Sequence, residues 1–232
     1  MEKQMSSTPK YLRWGDRERN IIEKSIEYFS QHGFDASTRD VASYIGITQS
    51  LLYRYFASKQ ALIDRVYKEV FILTWKTEWE TIIKNRTKPL RVRLVEYLDD
   101  YCNTILTRDW VRLFLFGALA ETTINKDFIG RLHERIFMAI LNEIYFDNNI
   151  ALPRSDQNKR LDVEIVWGFH SSFFYIGVRR WVYNLPVPAD LGPVIRARVG
   201  AFLDGAGKEF SIGTTSDLSH PLFLRKRPVS RV

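Results

Sequence analysis

Residues 37–59 read Ser-Thr-Arg-Asp-Val-Ala-Ser-Tyr-Ile-Gly-Ile-Thr-Gln-Ser-Leu-Leu-Tyr-Arg-Tyr-Phe-Ala-Ser-Lys. Ser37 or Thr38 supplies an N-cap, and Val41, Ala42 and Ile45 share the inner face of a short helix ending at Ile45. Gly46 turns the chain, Ile47 returns to the core, and Thr48 caps the next helix, with Leu52, Tyr55 and Phe56 following. The second helix has a polar and aromatic outer face. Two short helices around a glycine turn make the pattern of a helix-turn-helix, whose second helix enters the major groove of DNA.

Upstream, Asp16 caps a helix over about residues 17–32, with Ile21, Ile22, Ser25, Ile26 and Phe29 on one stripe. Gly33 ends it and Phe34 turns back to the core. Downstream, Ser58 caps a fourth helix with Leu62, Ile63, Val66, Tyr67 and Val70 inward. Its periodicity runs on to about residue 84, past Trp75 and Trp79, and Pro89 breaks the pattern. Further helices are predicted over 90–107, 110–123, 127–146, 158–183 and 191–207. The sequence carries no convincing strand and no internal repeat, so an all-α fold of about nine helices is expected. The division is a flexible basic arm (1–14), a DNA-binding domain (15–60), a helical effector and dimerisation domain (61–210) and a basic irregular tail (211–232).

The bulk composition agrees. A hydrophobic fraction of 45% suffices for a sizeable core. A single cysteine, Cys102, excludes an internal disulfide framework and points to a reducing compartment. Residues 1–14 hold no signal-peptide core, and no apolar run approaches the roughly 20 residues of a membrane helix. A soluble, cytoplasmic protein is the expectation, with no membrane partner. The net charge of +7 favours an anionic partner such as nucleic acid.

The chain resembles the tetracycline-repressor (TetR/AcrR) family of transcriptional regulators over about residues 17–70. The resemblance rests on Phe29, Gly33, Phe34, Thr38, Val41, Ala42, Gly46, Leu52, Tyr53, Tyr55, Phe56, Lys59 and Leu62, above all on Leu-Leu-Tyr-Arg-Tyr-Phe-Ala-Ser-Lys at 51–59. It implies three DNA-binding helices, a fourth linking helix, and a helical ligand domain. It also implies a homodimer built by the last two long helices (158–183 and 191–207), and a repressor that leaves DNA when a small molecule binds. Leu51 departs from the family's usual Thr or Ser.

Physical chemistry assigns roles on the DNA side. Thr48, Gln49 and Ser50 stand at the start of the reading helix, followed by Leu51, Tyr53 and Arg54. Gln49 suits adenine N6 and N7, and Leu51 is either a thymine-methyl contact or a packing residue. Tyr53 and Tyr55 carry phenols that can donate to phosphate, though Tyr55 is equally placed to pack. Arg54 reaches a phosphate, a guanine or only solvent. Thr38 and Arg39 start the second helix, whose N–H groups attract a phosphate, and Lys59 is a further phosphate contact. Tyr44 is another candidate near the backbone. The basic arm and tail either reach DNA or remain solvated.

The second domain is aromatic. Tyr97, Tyr101, Trp110, Phe114, Phe137, His170 and Phe174 are the candidate contacts for an apolar or aromatic effector. Glu121, Asn125, His133 and Glu143 are further polar residues in apolar stretches. Small residues such as Gly168 and Ser172 let dimer helices approach closely. Four scattered histidines lack metal-ligand spacing, and no nucleophile elbow, phosphate loop or Cys-x-x-Cys is present. The expectation is no enzyme, no metal and no cofactor. A DNA-binding regulator controlled by a protein partner instead of an effector is the alternative, marked by a filled rather than hollow second domain.

Overall fold

The computed structural model describes residues 14–119, 123–151 and 156–212. Every regular element among them is a helix. In chain order these are α1 (Trp14–His32), α2 (Thr38–Ile45), α3 (Gln49–Tyr55), α4 (Lys59–Tyr67), α5 (Glu78–Lys84), α6 (Leu90–Ile105), α7 (Arg108–Leu119), α8 (Thr123–Leu132), α9 (Met138–Asp147), α10 (Asp156–Trp181) and α11 (Gly192–Ile212). One π turn, Lys68–Ile72, follows α4, and a second, His133–Phe137, joins α8 to α9. The chain forms two compact units. The first holds Met1–Lys76, Cys102–Gly130 and Phe174–Val187, and the second holds Thr77–Tyr101, Arg131–Phe173 and Pro188–Val232.

In the first unit, local chemistry sets the helix ends. Ser37 and Asp40 form a reciprocal capping box on α2. Gly46 closes α2 in the left-handed region at φ 80°, and Ile47 N–H donates to Ala42 O at 3.0 Å. Thr48 caps α3 through Leu51 N–H, and Ser58 caps α4 through Ala61 N–H. Ile21, Ile22, Phe29, Val41, Ala42, Leu52, Leu62 and Val66 fill the core among α1–α4. Ile26 is only half-buried, while Ser30 takes a buried place beside Phe29.

Three further differences from the sequence reading stand out. Trp14 opens α1, so the helix starts ahead of Asp16. The remaining arm (1–13) and most of the tail (213–232) lie outside the described residues. The long fourth helix is interrupted: α4 ends at Tyr67, a π turn follows, and α5 begins at Glu78. Tyr67, Val70 and Phe71, spaced by three and four, are all buried on one face of this stretch. Thr74 Oγ1 then donates to Val70 O at 2.6 Å, ending the turn.

Arg112 of α7 fixes the end of α1 within this unit. Its guanidinium donates to Ser30 O, to Gln31 O at 3.4 Å and to Trp181 O at 3.2 Å. Ser30 Oγ in turn donates to Asp109 at 2.6 Å. A cation on the last carbonyls of a helix is favoured by the dipole.

The second unit packs Trp79, Leu94, Tyr97, Leu98, Ile136, Phe137, Ile140, Val166, Phe173, Ile195 and Val199. It also buries charge. Glu143 accepts from Arg93 Nη1 at 2.7 Å and from Arg86 Nη2 at 2.9 Å. Burial alone pushes the Glu143 carboxyl up, but the two guanidiniums override it and hold the group below the usual carboxylate range. Tyr145 OH donates to the buried Asp162 at 2.5 Å.

Candidate nucleic-acid interface

The reading helix α3 is short, and one residue anchors it. Leu52 is buried, so Ser50, Tyr53 and Arg54 are left exposed, with Gln49 and Leu51 half-buried. Tyr55 is half-buried and stacks on Trp14 with ring centroids 4.1 Å apart, so it packs α1 against the end of α3. Sequence reasoning missed Trp14, because it was placed in the arm.

Three predicted residues meet. Thr38, the first residue of α2, is 8% exposed. Gln49 Nε2 donates to Thr38 Oγ1 at 2.8 Å, and Tyr53 OH lies 3.1 Å from the same oxygen. Thr48 and Ser50 hydroxyls share a bond of 3.1 Å. Arg39 is exposed next to Thr38, and half-buried Lys59 opens α4. Tyr44 turns instead toward α1: its ring lies 5.1 Å from Tyr28, and a hydrogen bond to Glu27 raises its phenol.

The seven effector candidates fall into two groups. Trp110, Phe114 and Phe174 lie in the first unit with Phe71 and Phe128. Trp110 stacks on Phe114 at 4.9 Å and meets Phe71 and Phe128 edge-to-face at 5.0 Å. Trp110 is 2% exposed, and its indole Nε1 has no hydrogen-bond partner. Tyr97, Tyr101, Phe137 and His170 lie in the second unit and fill their own space. His170 Nε2 and Tyr97 OH are 2.7 Å apart, and burial pushes His170 down to about 3. Phe71 and Phe128 were overlooked in sequence, as was the Arg112 clamp.

Rings also connect the two ends of the first unit. Phe29–Phe34, Phe34–Tyr67, Tyr67–Phe71 and Phe71–Trp110 have centroids 5.0–5.4 Å apart. Such pairs contribute about 0.5–1.5 kcal/mol each beyond area burial.

A compact helical domain with a capped helix-turn-helix and an exposed polar reading face defines a DNA-binding protein. Residues 21–66 match the family model described as bacterial regulatory proteins, tetR family. Among solved structures, AmtR of Mycobacterium smegmatis is 20% identical, over 90% of this chain and 96% of that one, with a TM-score of 0.55. A TetR family regulator from Pseudomonas syringae is 18% identical over 82% and 96%, with a TM-score of 0.54. A tetR-family regulator from Streptomyces coelicolor is 15% identical over 91% and 94%, also with a TM-score of 0.54. At these identities the likeness is one of fold. Residues 21–66 thus form a DNA-binding domain of the tetR-family type, and the described chain has the fold of such regulators. No described helix is long and apolar enough to cross a membrane, and no described cluster of His, Cys, Asp and Glu has metal-binding geometry.

Proposed function

We propose that this regulator is a homodimeric repressor that binds a near-palindromic operator and is released by a small aromatic or apolar effector. The observation that carries the DNA reading is the outer face of α3, where Gln49, Ser50, Leu51, Tyr53 and Arg54 stand around a buried Leu52. Gln49 and Leu51 meet base edges. Tyr53, Arg54, Thr38, Arg39 and Lys59 meet the phosphates on either side.

The dimer reading is supported by the outer stripes of the last two helices. On α10, Leu161, Ile165, Gly168 and Ser172 recur at spacings of four, three and four, and none is buried. On α11, Ala197, Ala201 and Gly205 are exposed at spacings of four. Stripes of this kind pack as a four-helix bundle, and a two-fold axis sets two reading helices on successive major grooves.

Trp110 supports the effector reading. A buried indole N–H without a partner, walled by phenyl rings, suits an aromatic molecule bearing a hydrogen-bond acceptor. Displacement of Phe71 by that ligand passes through Tyr67 and Phe34 to Phe29 in the core of α1. The closed packing around His170 favours a second reading, in which a protein partner replaces the effector.

The test is a binding selection from random duplex DNA, followed by release assays with a panel of aromatic acceptors. The effector reading predicts a compound that frees the selected duplex from the natural protein but not from Trp110→Phe. Release that survives this substitution moves the effector away from Trp110. A monomer that grips one half-site tightly rules out the dimer.

A further inference from the structure

We infer that Thr38 is a positioning residue: its hydroxyl presets the Gln49 amide so that the reading helix selects a base with an exocyclic amine over one with a keto oxygen. The inference rests on α3 being the reading helix, and it names the base chemistry which that helix selects.

A glutamine amide has a donor end and an acceptor end, and a free side chain presents either by turning over. Gln49 is not free. Its nitrogen end is committed to Thr38 Oγ1 at 2.8 Å, on a residue that is 8% exposed. Turning the amide over puts Oε1 against Thr38, whose single O–H must then go to Gln49, leaving Tyr53 OH at 3.1 Å only as a donor to it; with Nε2 donating, that O–H stays free for Tyr53 or a phosphate. Threonine is β-branched and stiff at χ1, and it opens a capped helix, so the oxygen that holds the amide stays in place.

The consequence is chemical. With Nε2 held, Oε1 is the end left for the groove, and a carbonyl oxygen only accepts. In the major groove adenine N6 and cytosine N4 are donors, whereas guanine O6 and thymine O4 are acceptors. Oε1 bonds to either amine and repels either keto oxygen. The second hydrogen on Nε2 remains for adenine N7, which places adenine ahead of cytosine. Neighbouring hydroxyls do not impose this choice. Thr48 and Ser50 bond to one another, and each rotates to donate or accept.

The test is selection from randomised duplexes with the natural protein, Thr38→Val, Thr38→Ser and Gln49→Ala. The readout is the ratio of bases at each position within one protein sample, so a partly unfolded variant lowers the yield but not the ratio. At one position per half-site the natural protein should prefer adenine or cytosine over guanine or thymine by about fivefold to a hundredfold. Thr38→Val should level that position alone, Thr38→Ser should keep it, and Gln49→Ala should level the same position. A keto base selected there by the natural protein overturns the inference. So does Thr38→Val that weakens every duplex equally with its preferences intact. If Gln49→Ala changes no position at all, Gln49 reads no base, and the proposed reading surface fails before the question of its preset arises.

Discussion

Acid should destabilise this protein through His170, and the size of the loss can be worked out. The imidazole is 2% exposed, faces Tyr97 OH at 2.7 Å, and packs against Tyr101 and Phe137. Burial pushes it down to about 3. An unfolded histidine titrates near 6.5, so the unfolded chain takes the proton first. The stabilising contribution is therefore complete above about pH 6.5 and is lost as pH falls toward 3. Between pH 7 and pH 5 the unfolded imidazole becomes almost fully charged while the folded one stays neutral. The linkage relation gives a loss of about 2 kcal/mol over that interval, with a limiting slope of about 1.4 kcal/mol per pH unit. Asp162 works in the opposite direction. Burial raises its carboxyl, so it adds stability as pH falls. The comparison must therefore be made against a variant that keeps Asp162. His170→Gln does so, offers Tyr97 a polar partner and does not titrate. Urea unfolding at pH 7 and pH 5 should show the natural protein losing about 2 kcal/mol more than His170→Gln. Equal losses in the two proteins would refute the argument, because the folded imidazole would then take up a proton as readily as the unfolded one.

Three other outcomes are expected. Glu143→Ala leaves the buried Arg93 guanidinium without its carboxylate and should cost about 3–5 kcal/mol in urea melts, whereas loss of the half-exposed Arg86 should cost less than about 1 kcal/mol. Lys59→Ala should weaken binding to every duplex alike and make the log–log salt slope shallower by about 0.9, measured by fluorescence anisotropy across a salt series. Gly117→Ala sets a methyl carbon 2.3 Å from Tyr67 OH and 2.7 Å from Asn125 Oδ1. It should destabilise by about 1–3 kcal/mol in thermal melts despite alanine's better helix propensity, and adding Tyr67→Phe should recover part of the loss.

The DNA-binding helices were legible because their signals are local. Ser37, Gly46, Thr48 and Ser58 each act on backbone groups a few residues away, and all four cap as the sequence predicts. The break in the fourth helix was not, because the apolar period runs through it unchanged. Phe71, four residues after Tyr67, continues the inward stripe of Ile63 and Tyr67, but its partner Trp110, at 5.0 Å, comes from a distant part of the sequence. The effector candidates illustrate the same limit. Helical period identifies the apolar face of α6, α7 and α10, but not which other face it meets, so one list of seven residues spans two clusters. Arg93 left a trace that went unused. It lies at helical spacing with Leu90, Leu94 and Tyr97, and a charge on an apolar stripe calls for a buried counter-ion, here Glu143. Thr38, Gln49 and Tyr53 were each readable as DNA contacts, but their mutual bonds follow from the fold of the two helices against each other.

The π turn at Lys68–Ile72 has a consequence for comparing this chain with others. Such a turn holds one residue more than an α turn. A relative without the extra residue has every later side chain on that helix swung by about 100°. An alignment drawn without a gap against a chain that lacks the turn matches Phe71 with a position on a different face. A single codon gained or lost between Tyr67 and Leu73 therefore changes which side chain leans on Trp110, while α2 and α3 keep their sequence. On the proposed function, that is a short mutational route by which one effector is exchanged for another while the same operator is read.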